Sequence, residues 1–142
     1  MKHLLSFILA LSSLIGPASA QAEDFLDPEA AFKFSARALD AQTIETSWKI
    51  ADGYYLYKNK FKFALSDAAL GNAIYPAGKV KDDPSFGKVE IYTQSAIIKL
   101  PVNREPGAAL TVELQATYQG CAQDGVCYMP VTSSAKLKLP AL

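Results

Sequence analysis

The sequence predicts an all-β fold, an immunoglobulin-like antiparallel β-sandwich, on three observations. Apolar and polar residues alternate along a series of short segments, turn-forming residues divide those segments, and 142 residues suffice for one core but not two. Each such strand has one face to bury. Seven or eight strands in so short a chain cannot all be covered by one open sheet, whereas two sheets packed face to face cover them. A small closed barrel is the alternative arrangement. No internal repeat, linker or low-complexity stretch interrupts the pattern, so residues 21–142 read as one domain.

The elements follow in order. Residues 1–20, MKHLLSFILALSSLIGPASA, have a basic start at Lys2, an apolar stretch over residues 4–15 and a small-residue ending at Ala18-Ser19-Ala20. They read as a secretory signal peptide cleaved after Ala20, since the apolar stretch is shorter than the roughly 20 residues a membrane helix needs and Gly16-Pro17 breaks it. No later segment is long enough to span a membrane. A short helical turn is expected over residues 27–31, with Asp27 as N-cap and Pro28 at the first helical position. Strands are expected where Phe32, Phe34, Ala36 and Ala38 alternate with polar residues, and again at Ile44, Thr46, Trp48 and Ile50. Trp48 belongs in the core, its indole N–H paired with an acceptor. The same period recurs at Phe61, Phe63 and Leu65, at Ala96, Ile98, Leu100 and Val102, at Leu110, Val112, Leu114 and Ala116, and at Ala135, Leu137 and Leu139. A second helical turn is expected around residues 66–70, and residues 79–88 read as a polar loop carrying one large apolar side chain, Phe86.

Composition removes whole classes of function. Fourteen Lys and Arg balance fourteen Asp and Glu, with no long block of one sign, which argues against a nucleic-acid surface or a polybasic membrane anchor. The one histidine is His3, inside the expected signal peptide. Histidine-activated nucleophiles are therefore excluded from the mature chain, together with the commonest metal ligand. Two cysteines remain, Cys121 and Cys127, and export places them where disulfides form and persist.

The two cysteines lie on a predicted hairpin. With Gln123-Asp124-Gly125 as a three-residue loop and Gly125 in the left-handed conformation, Ala122 faces Val126 and Cys121 faces Cys127 across the ladder. Opposed Cβ atoms normally sit roughly 4.5–5.5 Å apart and a disulfide prefers about 3.8 Å, so the bond must pinch the strands. A bridge closing so short a loop adds only roughly 2.4 kcal/mol in the chain-entropy model. The spacing leaves open both a redox-active pair and a minor structural staple. A metal site of Cys121, Cys127 and Met129 is a third reading, poor in ligands without histidine.

Three runs carry a resemblance. Trp48-x-Ile50-x-Asp52-Gly53-Tyr54-Tyr55-Leu56-Tyr57, then Phe86-Gly87-Lys88-x-Glu90-Ile91-Tyr92, then Tyr118-Gln119-Gly120-Cys121-Ala122-x5-Tyr128-x-Pro130, occur in this order and resemble the N-terminal periplasmic domain of the DsbD family of bacterial thiol:disulfide interchange proteins. The likeness covers about residues 25–139. It implies an immunoglobulin-like domain acting as a protein-disulfide reductase, passing electrons through its cysteine pair to periplasmic thioredoxin-fold proteins. Those partners are disulfide isomerases and the thioredoxin-like proteins of cytochrome c maturation, and a thioredoxin-like domain serves as electron donor. The resemblance also implies that Cys127 forms mixed disulfides and Cys121 resolves them, with Tyr55, Tyr57 and Asp83 beside the pair. It departs in the cap loop: Pro84-Ser85-Phe86 puts Ser85 where the capping phenylalanine is expected, so either Phe86 takes that task or the cap is weaker. Family members also continue into a membrane electron conduit and a thioredoxin-like domain, whereas this sequence ends at Leu142.

The chemistry these residues permit is thiol–disulfide exchange, which requires no cofactor. Without histidine, thiolate formation relies on solvent, backbone N–H groups, tyrosine hydroxyls or lysines, and Asp83 opposes it by charge. The reading from another class is a non-catalytic secreted sandwich whose disulfide is an inert staple.

Overall fold

Alternation with period two builds most of the molecule. The structure, a computed structural model, describes residues 24–142, and the predicted signal peptide lies outside the described residues. A single helical turn, α1 (Pro28–Ala31), leads into β1 (Phe32–Asp40), β2 (Thr43–Ile50) and β3 (Tyr54–Tyr57). After a 3-10 turn at Lys58–Lys60 come β4 (Lys62–Leu65), β5 (Ala69–Leu70), β6 (Lys79–Asp83), β7 (Gly87–Tyr92) and β8 (Ser95–Asn103). The chain ends with β9 (Leu110–Tyr118), β10 (Gly120–Ala122) and β11 (Val131–Leu139).

These strands form three open antiparallel sheets, ordered β1-β2-β8-β5, β11-β9-β4 and β10-β3-β7-β6. The inward residues Ile44, Trp48, Ile98, Leu100 and Val102 of the first sheet meet Val112, Leu114, Ala116, Tyr118 and Leu139 of the second in one core. This is the immunoglobulin-like sandwich, not the closed barrel. Thr46, fully buried in the first sheet, satisfies its hydroxyl on the Ile98 carbonyl at 2.8 Å.

The third sheet covers one end, and its central strand is buried on both faces. Tyr54 and Leu56 of β3 enter the main core, while the alternate residues Tyr55 and Tyr57 join Ile91 and Cys121 in a second, smaller cluster. Strand β10 reaches this sheet because the chain leaves β9 at Gln119, whose carbonyl accepts the Tyr57 N–H at 3.0 Å. The ladder slips by one residue there, from the Tyr118–Val131 pairing to the Cys121–Cys127 pairing. Gly120 is required at this crossing: a Cβ would collide with the Tyr55 carbonyl oxygen and sit 2.6 Å from the Phe32 ring.

Three expectations are corrected. Residues 66–70 do not form a helical turn: Asp67 adopts φ 61°, Ser66 Oγ accepts the Glu113 N–H at 2.8 Å, and Ala69 and Leu70 pair with β8. Residues 79–88 are not a loop but the β6–β7 hairpin, paired from Lys79–Ile91 to Asp83–Gly87. Its outer strand carries exposed Lys79, Val80 and Asp82, so no apolar face betrays it, and the charges blunt an edge strand. The Trp48 indole N–H, buried among the rings of Phe34, Phe61, Phe63 and Tyr118, makes no hydrogen bond of ordinary geometry and has only a weak contact with the Tyr118 hydroxyl. Asp27 does occupy the N-cap, but its backbone carbonyl, not its side chain, receives the Ala30 and Ala31 N–H groups, each at 2.9 Å.

Candidate functional site

The hairpin forms in the predicted register. Gly125 sits at φ 103°, its N–H donates to the Ala122 carbonyl at 3.1 Å, and the Ala122 N–H donates to the Val126 carbonyl at 2.7 Å. Cys121 and Cys127 are bonded directly across the strands with Cα atoms 4.0 Å apart, closer than an ordinary pair of opposed residues. Both cysteine sulfurs are taken up by that bond, and Met129 is 81% exposed.

The two ends of the bond differ in access. Cys121 is 0% exposed, whereas Cys127 is exposed. The difference follows from topology: Cys121 belongs to β10 and is paired with Tyr55 of β3, while Cys127 lies outside the named strands and is held to β10 by a single bridge.

Beneath the sulfurs lies a polar network. The Tyr57 hydroxyl oxygen is 3.1 Å from Cys121 Sγ and 3.9 Å from Cys127 Sγ. Tyr57 also donates to Asp83 Oδ2 at 2.7 Å, and Tyr55 donates to the same oxygen at 3.1 Å. The other carboxylate oxygen accepts the Ser85 and Phe86 N–H groups at 2.8 and 3.1 Å. One buried carboxylate thus holds both tyrosines and the tip of the β6–β7 hairpin.

Charge states follow from these contacts. Burial alone raises the Asp83 carboxyl, but hydrogen bonds from Tyr57, Ser85, Tyr55 and Phe86 outweigh it and hold the group below the ordinary aspartate value. Burial pushes Tyr57 up, and the bond to Asp83 pushes it further. Tyr55 also rises by burial, against the opposing effect of its hydrogen bond with Tyr57. An ionised carboxylate only accepts, so the single Tyr57 proton points at Asp83 and the oxygen turns a lone pair toward Cys121 Sγ.

The hairpin tip carries Phe86, which is 47% exposed and packs edge-on against the Tyr57 ring with centroids 5.2 Å apart. Lys60 Nζ lies 4.6 Å above the Phe86 ring, and Lys81 Nζ lies 5.4 Å above the Tyr55 ring. Ser85 contributes its backbone N–H to the turn. All six residues named from the sequence, Cys121, Cys127, Tyr55, Tyr57, Asp83 and Phe86, therefore meet at one end of the sandwich. The sequence reading missed Lys60 and Lys81, which no motif marks, and the close approach at Gly120, which an isolated glycine in a strand pattern signals.

One sulfur of the pair is open to an attacking thiolate while the other is buried, which is the access a thiol–disulfide exchange site needs. Residues 22–139 match the family described as thiol:disulfide interchange protein DsbD, N-terminal, and the chain belongs to that family. It is 41% identical to the thiol:disulfide interchange protein DsbD of Ralstonia nicotianae, over 92% of this chain and 21% of that protein. It is 37% identical to DsbD 2 of Pseudomonas aeruginosa, over 87% of this chain and 20% of the relative. The chain thus spans about a fifth of the length of these relatives. The reduced DsbD N-terminal domain of Neisseria meningitidis superposes with a TM-score of 0.72 at 33% identity, covering 82% of this chain and 91% of that one. The same species' DsbD N-terminal domain in complex with the PilB N-terminal domain superposes at 0.67 with 34% identity, covering 81% and 88%.

Proposed function

We propose that this is a periplasmic domain that passes electrons from a thioredoxin-like donor domain to thioredoxin-fold acceptors, with Cys127 as attacking and Cys121 as resolving thiol. The observation that carries it is the asymmetry of the pair: Cys127 is exposed, and Cys121 is buried against the Tyr57 hydroxyl at 3.1 Å. In the reduced domain the Cys127 thiolate attacks a partner disulfide, and the electron pair of the broken bond leaves on the partner's second sulfur, which takes a proton. Cys121 then gives up its proton and attacks Cys127 Sγ. The mixed disulfide breaks, the partner departs as a dithiol, and the domain returns to the disulfide form. Two electrons and two protons have moved to the partner.

The donor step runs in reverse, with an incoming thiolate attacking the exposed Cys127 Sγ and Cys121 leaving. In the reduced pair the Cys121 S–H can donate to the Tyr57 oxygen, whose own proton is held by Asp83, so the network favours a neutral thiol. Phe86, packed on Tyr57, shields the buried Cys121 side of the pair, while Cys127 stays open to a partner. Disulfide isomerases and the thioredoxin-like proteins of cytochrome c maturation are the proposed acceptors, and export with cleavage after Ala20 delivers the chain to them. The complex of a related domain with the PilB N-terminal domain supports a protein partner.

Single-cysteine variants test the roles. Cys121→Ala should accumulate a mixed disulfide with a periplasmic thioredoxin-fold protein, because attack occurs and resolution does not; Cys127→Ala should trap little. Reversed yields would exchange the two roles, and no trapping by either variant would favour the inert staple.

A further inference from the structure

The residue after the exposed cysteine is tied to the start of the domain. Tyr128 donates its hydroxyl proton to the Leu26 carbonyl, and the Leu26 N–H donates to the Tyr54 hydroxyl at 2.8 Å. The two tyrosine rings stack at 6.3 Å with planes 19° apart, and Phe32 meets each edge-on, at 6.1 and 5.9 Å. Both polar groups of one residue are thus gripped by a pair of stacked phenols. Tyr128 is also held through its backbone: its N–H donates to the Gly120 carbonyl at 3.0 Å, and its carbonyl accepts from Gln119 Nε2 at 3.1 Å. Burial, with Tyr54 and Asp27 nearby, pushes the Tyr128 phenol up to about 12, so it remains a donor at neutral pH.

This grip matters because, apart from its bond to Cys121, Cys127 has little support of its own. It lies outside the strands, and the anchors on either side of it are the Ala122–Val126 bond and Tyr128. Building on the proposed exchange function, we infer that Tyr128 is a positioning residue for Cys127, acting with Tyr54 to clamp Leu26, and that the segment at Leu26 is therefore part of the redox site. Holding Cys127 over Cys121 raises the effective concentration of one thiol at the other, which favours the disulfide over two separate thiols. Loosening the clamp should make the pair easier to reduce.

The test is equilibration of the whole domain with glutathione buffers, followed by thiol trapping, for Tyr128→Phe, Tyr54→Phe and the control Tyr118→Phe. The control also removes a phenol, the one 2.9 Å from Ser133 Oγ, but lies outside the clamp. The first two variants should lower the equilibrium constant for disulfide formation roughly two- to tenfold, as one weakened hydrogen bond does, and the control should match the wild type. Because phenylalanine keeps the ring packing, a loss of fold is not the expected cost, and Tyr54→Phe reads the clamp from its other side. Clamp variants that match the wild type, or a control that shifts equally, would overturn the inference. A wild-type pair that never equilibrates with glutathione would instead sink the exchange reading on which it rests.

Discussion

At the scale of single residues, Asp83 decides the charge around the sulfurs. Its carboxylate gathers four hydrogen bonds, and through Tyr57 it stands one hydroxyl away from Cys121. Two consequences follow from one substitution, Asp83→Asn. Removing a nearby negative charge relieves the thiolate, so the pH profile of alkylation of the reduced protein should move down by about one unit. The second consequence concerns stability in acid. The folded-state pKa of Asp83 lies below its unfolded value, so its contribution is present above the ordinary aspartate value of about 3.9 and is lost as pH falls through the lower folded value. The gap in thermal midpoint between wild type and Asp83→Asn should therefore shrink as the buffer is taken below about pH 4. A gap that stays constant across that range would mean Asp83 titrates alike folded and unfolded. The exposed Lys88–Asp82 pair, at 3.4 Å, gives no comparable effect, since water and salt screen it.

At the scale of elements, the β6–β7 hairpin is the proposed shield on the Cys121 side of the pair, since its tip packs on Tyr57 beside that buried sulfur. Phe86 rests on Tyr57 by one edge-on contact and under Lys60, and half of its surface is already in water. Truncating it, as Phe86→Ala, should speed reaction of the reduced protein with a small alkylating agent several-fold, with little loss of stability for so exposed a ring. An unchanged rate would place the shield elsewhere. This hairpin is also where the sequence was least readable. The core strands announce themselves because each has one apolar face, as in Ile98, Leu100 and Val102 against Ile97, Lys99 and Pro101. Strand β6 reads Lys-Val-Lys-Asp-Asp and buries only Asp83, and that residue is held by long-range bonds to Tyr55 and Tyr57. No local pattern encodes such a contact. The cysteine hairpin was legible because a tight loop fixes its own register through Gly125. The Leu26 clamp was not, since it joins residues 102 positions apart. Asp83 and the tyrosines were named only through family resemblance, and the hydrogen bonds now supply their physical reason.

At the scale of the whole molecule, the redox bond and the fold are separable. The main core joins the sheets through residues such as Trp48, Leu100 and Leu114, all 0% exposed, and neither cysteine belongs to it. Cys121 sits in the smaller cluster on the outer face of β3, and its bond to Cys127 spans a sequence separation of 6. A domain that carries electrons must be the same scaffold in both redox states. If the bond held the sandwich together, each turnover would loosen it. The superposition with a reduced DsbD N-terminal domain at a TM-score of 0.72 fits a scaffold that does not depend on the bond. The quantitative expectation comes from the loop: a ring of about seven residues contributes at most about 2.4 kcal/mol through the unfolded chain, or a thermal midpoint lowered by about 10 °C in a domain of this size. Reduction with excess dithiothreitol, or the double variant Cys121→Ala/Cys127→Ala, should therefore leave one cooperative transition, shifted by no more than that amount. The near-ultraviolet signal of Trp48, deep in the main core, should survive in both. A reduced protein that melts broadly, or loses the tryptophan signal below the transition, would show that the bond supports the core after all.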